Sequence, residues 1–510
     1  MEGLLWLVLI GGLLLSLLEA EQRKERVKKA YRFNPANAHG GARFATTVKN
    51  LKALLTGKGI PVGYARIGRR LRALHYEGLG HVLTVAAART GKGASLLINA
   101  LLSWRHSCIV ICPKCENTSV TAHYRRRFGK VYVVNPYGMF LDALKGLKQA
   151  RFNPMAALDP KLRGFHADCD KLAAALVWDE GHSDRHWPTA ARLLVSGVIA
   201  ALVRHGKPEE RNLAAVARYI SGDIFTFCRN AMQSNDADII QKLARFAAQG
   251  AEASREIQDV IATAITQLGF ITGAIADSLS GSDFCFSELK RKPGTTIYIC
   301  IPLNKLDGSG DKYFRLIVET AIARLLDETQ RGKHPPVLLI IDEFAQLGGN
   351  IKSIENAAGM AAGAAKLQLW FVLQDLTQLV GMFPKTWETF IQNCGITMWF
   401  GARDQTTREY ISKLSGVCEV ITRSRSVSVD RTGEPHVNDS ASQVARPLVH
   451  PFEAGQLAPD EMFLFAEGVS CGPVKAKRKF YFECPEYAGK YRPNPYFKKH
   501  GGGLVGWLFR

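Results

Sequence analysis

The sequence lacks several features that would place it in a narrow class. It has no long low-complexity tract and no internal repeat, which argues for a compact protein rather than a disordered or repetitive one. Its 11 cysteines are scattered without the regular spacing of a secreted disulfide scaffold, so the bulk of the chain belongs in a reducing cytosol. Cys112-Pro-Lys-Cys115, with Cys108 just upstream, has no second C-x-x-C to complete a zinc site. The one H-x-x-x-H, His182 to His186, lies too far downstream to serve as half of a finger. Acidic residues are scarce as well. Asp and Glu number 46 against 66 Lys and Arg, a net charge of +20, and the excess points to an anionic partner: nucleic acid, anionic lipid, or both. The basic clusters at Arg23 to Lys29, Arg66 to Arg72 and Arg125 to Lys130 read singly as solvated faces; their sum carries the argument.

What is present suits a large α/β protein. With 510 residues, 47% of them hydrophobic and 22% charged, the chain can hold two or three domains around a sizeable core. Residues 3 to 18 carry no charge and are followed by Gln22-Arg-Lys-Glu-Arg-Val-Lys-Lys29. As a helix this run is roughly 24 Å long, a little under the hydrocarbon thickness of a bilayer. Glu2 precedes it and the basic cluster follows. That order predicts a transmembrane anchor with its N-terminus outside and the body in the cytoplasm, rather than a cleaved signal peptide.

Past the anchor (1–20), a basic lead-in is expected over 21–80. Strand-like runs then recur at Leu83 to Ala88, Cys108 to Cys112 and Val131 to Asn135, separated by helical stretches. This alternation predicts βαβ units and a parallel sheet in the first part of a nucleotide-binding domain, 81–160. From Phe165 to Ile275 the pattern changes to Ala- and Leu-rich helical spacing without a convincing strand, the mark of an inserted all-α domain at 161–285. Strands resume at Thr295 to Ile301, Val337 to Ile341, Leu367 to Gln374, Ile396 to Phe400 and Met462 to Ala466, giving the second part of the sheet domain, 286–490. Thr422 to Val444, rich in Ser, Arg and Asp, reads as an exposed loop, and 491–510 as a basic tail.

Two segments carry chemistry. Ala86-Ala-Ala-Arg-Thr-Gly-Lys-Gly93 follows an apolar run and opens a helix-like stretch. A strand turning through small residues into a helix N-terminus aims backbone N–H groups at an anion, and Lys92 adds a mobile positive charge for the outer phosphates. The usual pattern is G-x-x-x-x-G-K-[ST]; here Ala86 replaces the first glycine and Gly93 the hydroxyl that would face Mg²⁺. Val337-Leu-Leu-Ile-Ile-Asp-Glu-Phe344 has the length of a buried strand and ends in adjacent carboxylates. Asp342 suits Mg²⁺, directly or through water, and Glu343 suits the attacking water. In a parallel sheet ligands collect beyond the carboxyl ends of strands, where both segments fall. The phosphate-facing set is thus Ala88, Arg89, Thr90, Gly91, Lys92, Gly93, Ala94 and Ser95, with Ser95 the substitute hydroxyl if the loop geometry permits.

In this order and spacing the segments resemble a family, the membrane-anchored coupling proteins of conjugation and type IV secretion, TraG type. The resemblance covers most of residues 80 to 485. The family's phosphate loop reads A-P-T-R-S-G-K-G, so Ala86, Arg89, Gly91, Lys92 and Gly93 match and the terminal glycine is normal for it. Further matches are Leu101-Leu-Ser-Trp104, Phe152-Asn-Pro154, Trp187 with Ala190-Ala-Arg-Leu-Leu194, Thr295-Thr-Ile-Tyr-Ile-Cys-Ile-Pro302, Leu339-Ile-Ile-Asp-Glu-Phe344, Ser424-Arg-Ser426 and Arg446-Pro-Leu448. The family often carries Asp-x-Lys-Gly-Glu after the second strand; here it reads Cys112-Pro-Lys-Cys-Glu116, keeping Lys114 and Glu116 and losing Asp and Gly.

The resemblance implies a P-loop, RecA-like fold: a twisted, mostly parallel sheet with an inserted all-α domain and an N-terminal transmembrane helix. It implies a homo-hexameric inner-membrane ATPase, single-pass and largely cytoplasmic, using ATP and magnesium to pass relaxase-bound single-stranded DNA and/or effector protein to type IV secretion channel components. Lys92 and the loop amides would hold phosphates, Asp342 the metal, and Glu343 the water. Gln374 would sense the γ-phosphate, and Arg403 or Arg408 would reach a neighbouring subunit's site. Turnover would be slow until DNA or partners order the ring. The rival readings are a substrate receptor with little hydrolysis of its own, a related DNA-pumping translocase, and an assembly ATPase of the secretion apparatus.

Overall fold

The computed structural model describes residues 21–22, 40–178, 186–249, 253–305, 310–326, 334–347, 352–359, 366–429 and 435–496. The expected anchor, 1–20, lies outside the described residues, as do most of the basic stretch after it and the tail from 497 on. Among the described residues one helix, His186–His205, is long and apolar enough to cross a membrane. Most of it is instead buried within the protein, with Leu194, Val198, Ile199 and Leu202 in the core.

The main sheet contains β1 (Ile60–Ile67), β2 (Arg70–Tyr76), β3 (His81–Ala86), β4 (Cys108–Ile111), β5 (Val131–Val134), β6 (Thr296–Ile299), β7 (Val337–Ile341), β8 (Leu367–Leu373) and β9 (Cys394–Phe400). Two later strands complete it, and a separate hairpin, β10 (Val417–Val429) with β11 (Pro435–Pro447), stands between; the later strands are β12 (Glu461–Ala466) and β13 (Val474–Lys477). The eleven strands run in the order β2-β1-β13-β12-β9-β3-β8-β7-β4-β6-β5. From β9 to β5 every pairing is parallel, and from β9 to β2 every pairing is antiparallel.

Alternation along the parallel strands sorts their side chains into two core layers. On β7, Val337, Leu339 and Ile341 face the helices of residues 165–325, while Leu338 and Ile340 face the opposite layer, which includes helix Gly93–Ser103. Both faces are covered, so the strands need no polar side and read as continuous apolar runs. Between β5 and β6 the described residues form helices and no strand, from Phe165–Leu176 to Glu288–Arg291. These helices share one continuous core with the sheet.

Three expectations need correction. The 21–80 lead-in supplies β1 and β2, which bury Ile60, Val62, Leu74 and Tyr76 against the sheet. The cluster Arg66 to Arg72 covers the tip of this hairpin and the edge strand, where charge discourages further strand pairing. The described residues of Thr422 to Val444 are strand rather than loop: β10 and β11 pair in unbroken antiparallel register from Val417↔Pro447 to Val429↔Pro435. The ribbon is exposed on both faces over most of its described length, so no apolar alternation marks it in the sequence. Finally, Arg125 is fully buried; it donates to Thr296 Oγ1 and to the carbonyls of Leu101, Trp104 and His106, tying the helix Glu116–Arg125 to its neighbours.

Candidate nucleotide-binding site

Strand order brings the site together. β3, β8, β7 and β4 are successive parallel neighbours, so the segments leaving their carboxyl ends converge. Those segments carry, in turn, the phosphate loop, Gln374, Asp342 with Glu343, and Lys114.

The loop leaves β3 at Ala86 and enters helix Gly93–Ser103, whose first turn, Gly93–Leu97, winds as a π-helix. Arg89 and Gly91 are left-handed, with φ of 63° and 80°. Alternation of hand along such a loop turns successive N–H groups toward one concavity, an anion nest. Glycine is required at position 91, because a Cβ there would lie 2.7 Å from Phe480 Cε1 in addition to the φ penalty. Thr90 Oγ1 donates to the Ala87 carbonyl at 2.7 Å and closes the turn. Ala88 and Arg89 are exposed, while Lys92 and Ala94 are buried.

Glu343 is the hub. It is 5% exposed and left-handed (φ 54°), a backbone state that costs energy and that clusters at functional sites. Lys114 Nζ lies 2.9 Å from its Oε1 and Lys92 Nζ 3.5 Å from the same oxygen. Gln374 Nε2 donates to its Oε2 at 2.9 Å. Burial alone would push the Glu343 carboxyl up, but the two ammoniums and these hydrogen bonds outweigh it and hold the group below the usual carboxylate range. Asp342 behaves in the opposite way: burial, then the neighbouring Glu343 charge, push it up to about 6 against the pull of Lys92 and Lys114. Adjacent carboxylates with pKa values driven apart mark a site prepared for unlike roles. Burial would lower Lys114, yet the carboxylates around it raise it, so it is an ammonium.

Ser95 is engaged within the protein. Its hydroxyl donates to the Gly91 carbonyl at 2.8 Å and accepts from Arg478 Nη1 at 2.9 Å, and its N–H donates to the Gly91 carbonyl. Arg403, after β9, is exposed; Arg408 donates through Nε to the Ala402 carbonyl at 3.0 Å.

Sequence reasoning missed Arg478 and gave Lys114 no role. Arg478 follows β13, is 6% exposed, and donates to the Thr90 carbonyl at 3.0 Å, to Ser95 and to the Pro459 carbonyl. Its guanidinium sits 3.7 Å from the centre of the Phe400 ring, a desolvated cation–π contact. With Phe480 against Gly91, it braces the loop from the far end of the chain. No local pattern marks it, since the pairing is made by the sheet. Lys114 could have been found as a retained position of the altered block Cys112 to Glu116. The cysteines of that block, Cys112 and Cys115, are buried and free.

Residues 45–500 match the family model described as "Type IV secretory system Conjugative DNA transfer". The chain is 26% identical over 410 residues to "Protein VirD4" of Agrobacterium fabrum, a match covering 79% of this chain and 58% of that protein. It is 24% identical over 467 residues to "Conjugal transfer protein TraG" of Escherichia coli, covering 81% and 70%. The chain thus spans under two thirds of the length of VirD4. Among solved structures, "Plasmid coupling protein TrwB in complex with ADP and Mg2+" is similar with a TM-score of 0.62 at 18% identity, covering 88% of this chain and 97% of that one. TrwB with the ATP analogue ADPNP gives 0.62 at 18%, covering 86% and 93%. These likenesses establish the fold.

Proposed function

We propose that this chain, which belongs to the type IV secretory system conjugative DNA transfer family, is an ATP-driven coupling protein that feeds substrate to a type IV secretion channel. The observation that carries the reading is the convergence on Glu343 of Lys92, Lys114 and Gln374 beside a loop with two left-handed residues. A structural turn has no need of two lysines and an amide around one buried carboxylate.

The loop amides and Lys92 bind the phosphates, and the N–H groups act by position and charge. Asp342 would hold Mg²⁺, which would neutralise phosphate charge and fix the reacting group. Glu343, kept ionised by its partners, accepts the proton of the attacking water. Gln374, through its hydrogen bond to Glu343, orients that carboxylate and serves as the sensor of the γ-phosphate. Arg403, exposed after β9, or Arg408, whose Nε donates to the Ala402 carbonyl, would reach a neighbouring subunit's site in a homo-hexamer. The uncharged N-terminal run anchors the ring in the inner membrane. The +20 charge favours sequence-independent contacts to single-stranded DNA that weaken with salt, with relaxase or effector protein as the cargo delivered.

Lys92→Ala and Glu343→Gln test the reading in a transfer assay. Both should abolish transfer while the protein remains in the membrane. Retained transfer in both overturns the motor and leaves the substrate receptor; fast hydrolysis by the isolated chain without DNA overturns the dependence on partners.

A further inference from the structure

In phosphate loops of the usual pattern the hydroxyl after the lysine faces Mg²⁺. Gly93 has none, and Ser95 is committed to Gly91 and Arg478. Asp342 would then be the metal's one side chain from this chain. What stands beside the gap alters that. A Cβ built on Gly93 would find as its nearest neighbours Glu116 Oε2 at 3.5 Å and Asn117 Oδ1 at 3.8 Å. Both residues open the ten-residue helix Glu116–Arg125.

Asn117 is 1% exposed, yet its Oδ1 is buried without a hydrogen-bond partner. Buried acceptors of this kind are rare and call for an explanation such as an ion. Glu116 is held from the other side, where Asn494 Nδ2 donates to its Oε1 at 2.7 Å, leaving Oε2 toward Gly93. Both offer hard oxygen donors, the class Mg²⁺ prefers, and Mg²⁺ retains waters and needs only one or two protein ligands beside phosphate oxygens.

We propose that Glu116 Oε2 and Asn117 Oδ1 take the place of the hydroxyl missing at Gly93 and, with Asp342, hold Mg²⁺ directly or through its waters. The inference rests on the nucleotide reading above.

The test is equilibrium binding of a fluorescent ADP analogue to the full-length chain in detergent, first in EDTA and then across a Mg²⁺ titration. In the wild type Mg²⁺ should tighten binding. Asn117→Ala should raise the Mg²⁺ concentration for half-maximal effect by about 10-fold with affinity in EDTA unchanged. Glu116→Gln should act in the same direction, and carries the test if the alanine variant does not fold. Gly93→Ser added to Asn117→Ala should restore the Mg²⁺ response, since a Cβ fits at ordinary contact distance and the hydroxyl is returned. An unchanged half-maximal concentration in the single variants, or no recovery with Gly93→Ser, overturns the proposal. Binding in EDTA with no response of the wild type to Mg²⁺ overturns the metal assignment alone; no binding in either condition overturns the nucleotide reading and this inference with it.

Discussion

Replacing Glu343 by Gln keeps its shape and removes the charge that two lysines face. Lys92 Nζ is 3.5 Å from Glu343 Oε1, and at an effective dielectric of about 20 that pair amounts to roughly 5 kcal/mol of Coulomb attraction before desolvation. Both groups are buried, so most of this is offset by their removal from water, and a net contribution of about 1–2 kcal/mol is the working figure. In the proposed nucleotide site phosphates recruit the Lys92 ammonium, so the wild type would surrender the pair when nucleotide binds. The variant has no pair to surrender. Nucleotide affinity should therefore rise by about 5–30-fold. Gln374 can reverse its amide and accept from the new side chain, keeping the site closed. Turnover should fall by about 100-fold or more, because the proposed general base is gone. Equilibrium titration with a fluorescent ATP analogue and single-turnover hydrolysis measure the two effects separately. Weaker or unchanged affinity in a folded variant would refute the competition for Lys92. Turnover within about 3-fold of wild type would refute the role of Glu343.

Arg478→Met retains much of the volume but removes the donors to Thr90 and Ser95; the expected outcome is a stability loss of about 1–3 kcal/mol and faster amide exchange confined to residues 88–97 by hydrogen–deuterium exchange. Gly91→Ala meets both the left-handed backbone and Phe480, for a cost of about 2–4 kcal/mol; adding Phe480→Leu should recover only part of it in chemical denaturation, since the backbone term remains. Asp236 tests acid lability. Burial would raise its carboxyl, but the Ile239 N–H and the His166 and Arg204 charges hold it below the usual range. Its stabilisation is thus present above the unfolded value near about 3.9 and lost as pH falls through the lower folded value. Asp236→Asn should be less stable than wild type at pH 7 and indistinguishable from it in strong acid, as read from thermal unfolding across pH.

The parallel strands were legible because they are buried on both faces and their apolar runs end in chemistry: Lys92 after β3 and Asp342-Glu343 after β7. The convergence of Gln374 and Lys114 on Glu343 was only half legible. Each lies just beyond a recognisable strand, but the order that makes β8 and β4 flank β7 is set by long-range pairing. Arg478 was beyond reach for the same reason, as its partners Thr90 and Ser95 lie almost 400 positions earlier in the chain. The edges failed differently. β2 is largely exposed and basic, and β10 alternates Thr422, Ser424, Ser426 and Ser428 with Ile421, Arg423, Arg425 and Val427; neither offers the apolar face on which strand reading depends.

The hairpin β1–β2 bears on how the protein can be cut. Removing the uncharged N-terminal run, the proposed anchor, is the obvious way to obtain a soluble fragment, and a boundary near residue 80 would look safe if the preceding segment were a tether. It is instead the outermost layer of the sheet. A fragment starting there would bare one side of β13 and lose the buried side chains of Ile60, Val62, Ala65, Leu74 and Tyr76. The newly opened edge belongs to the strand that leads into Arg478 and so into the phosphate loop. Such a fragment would be prone to aggregate through that edge, and its silence in a nucleotide-binding or hydrolysis assay would be mistaken for a property of the intact chain. A fragment beginning at about residue 40 keeps the sheet closed and makes the assay meaningful.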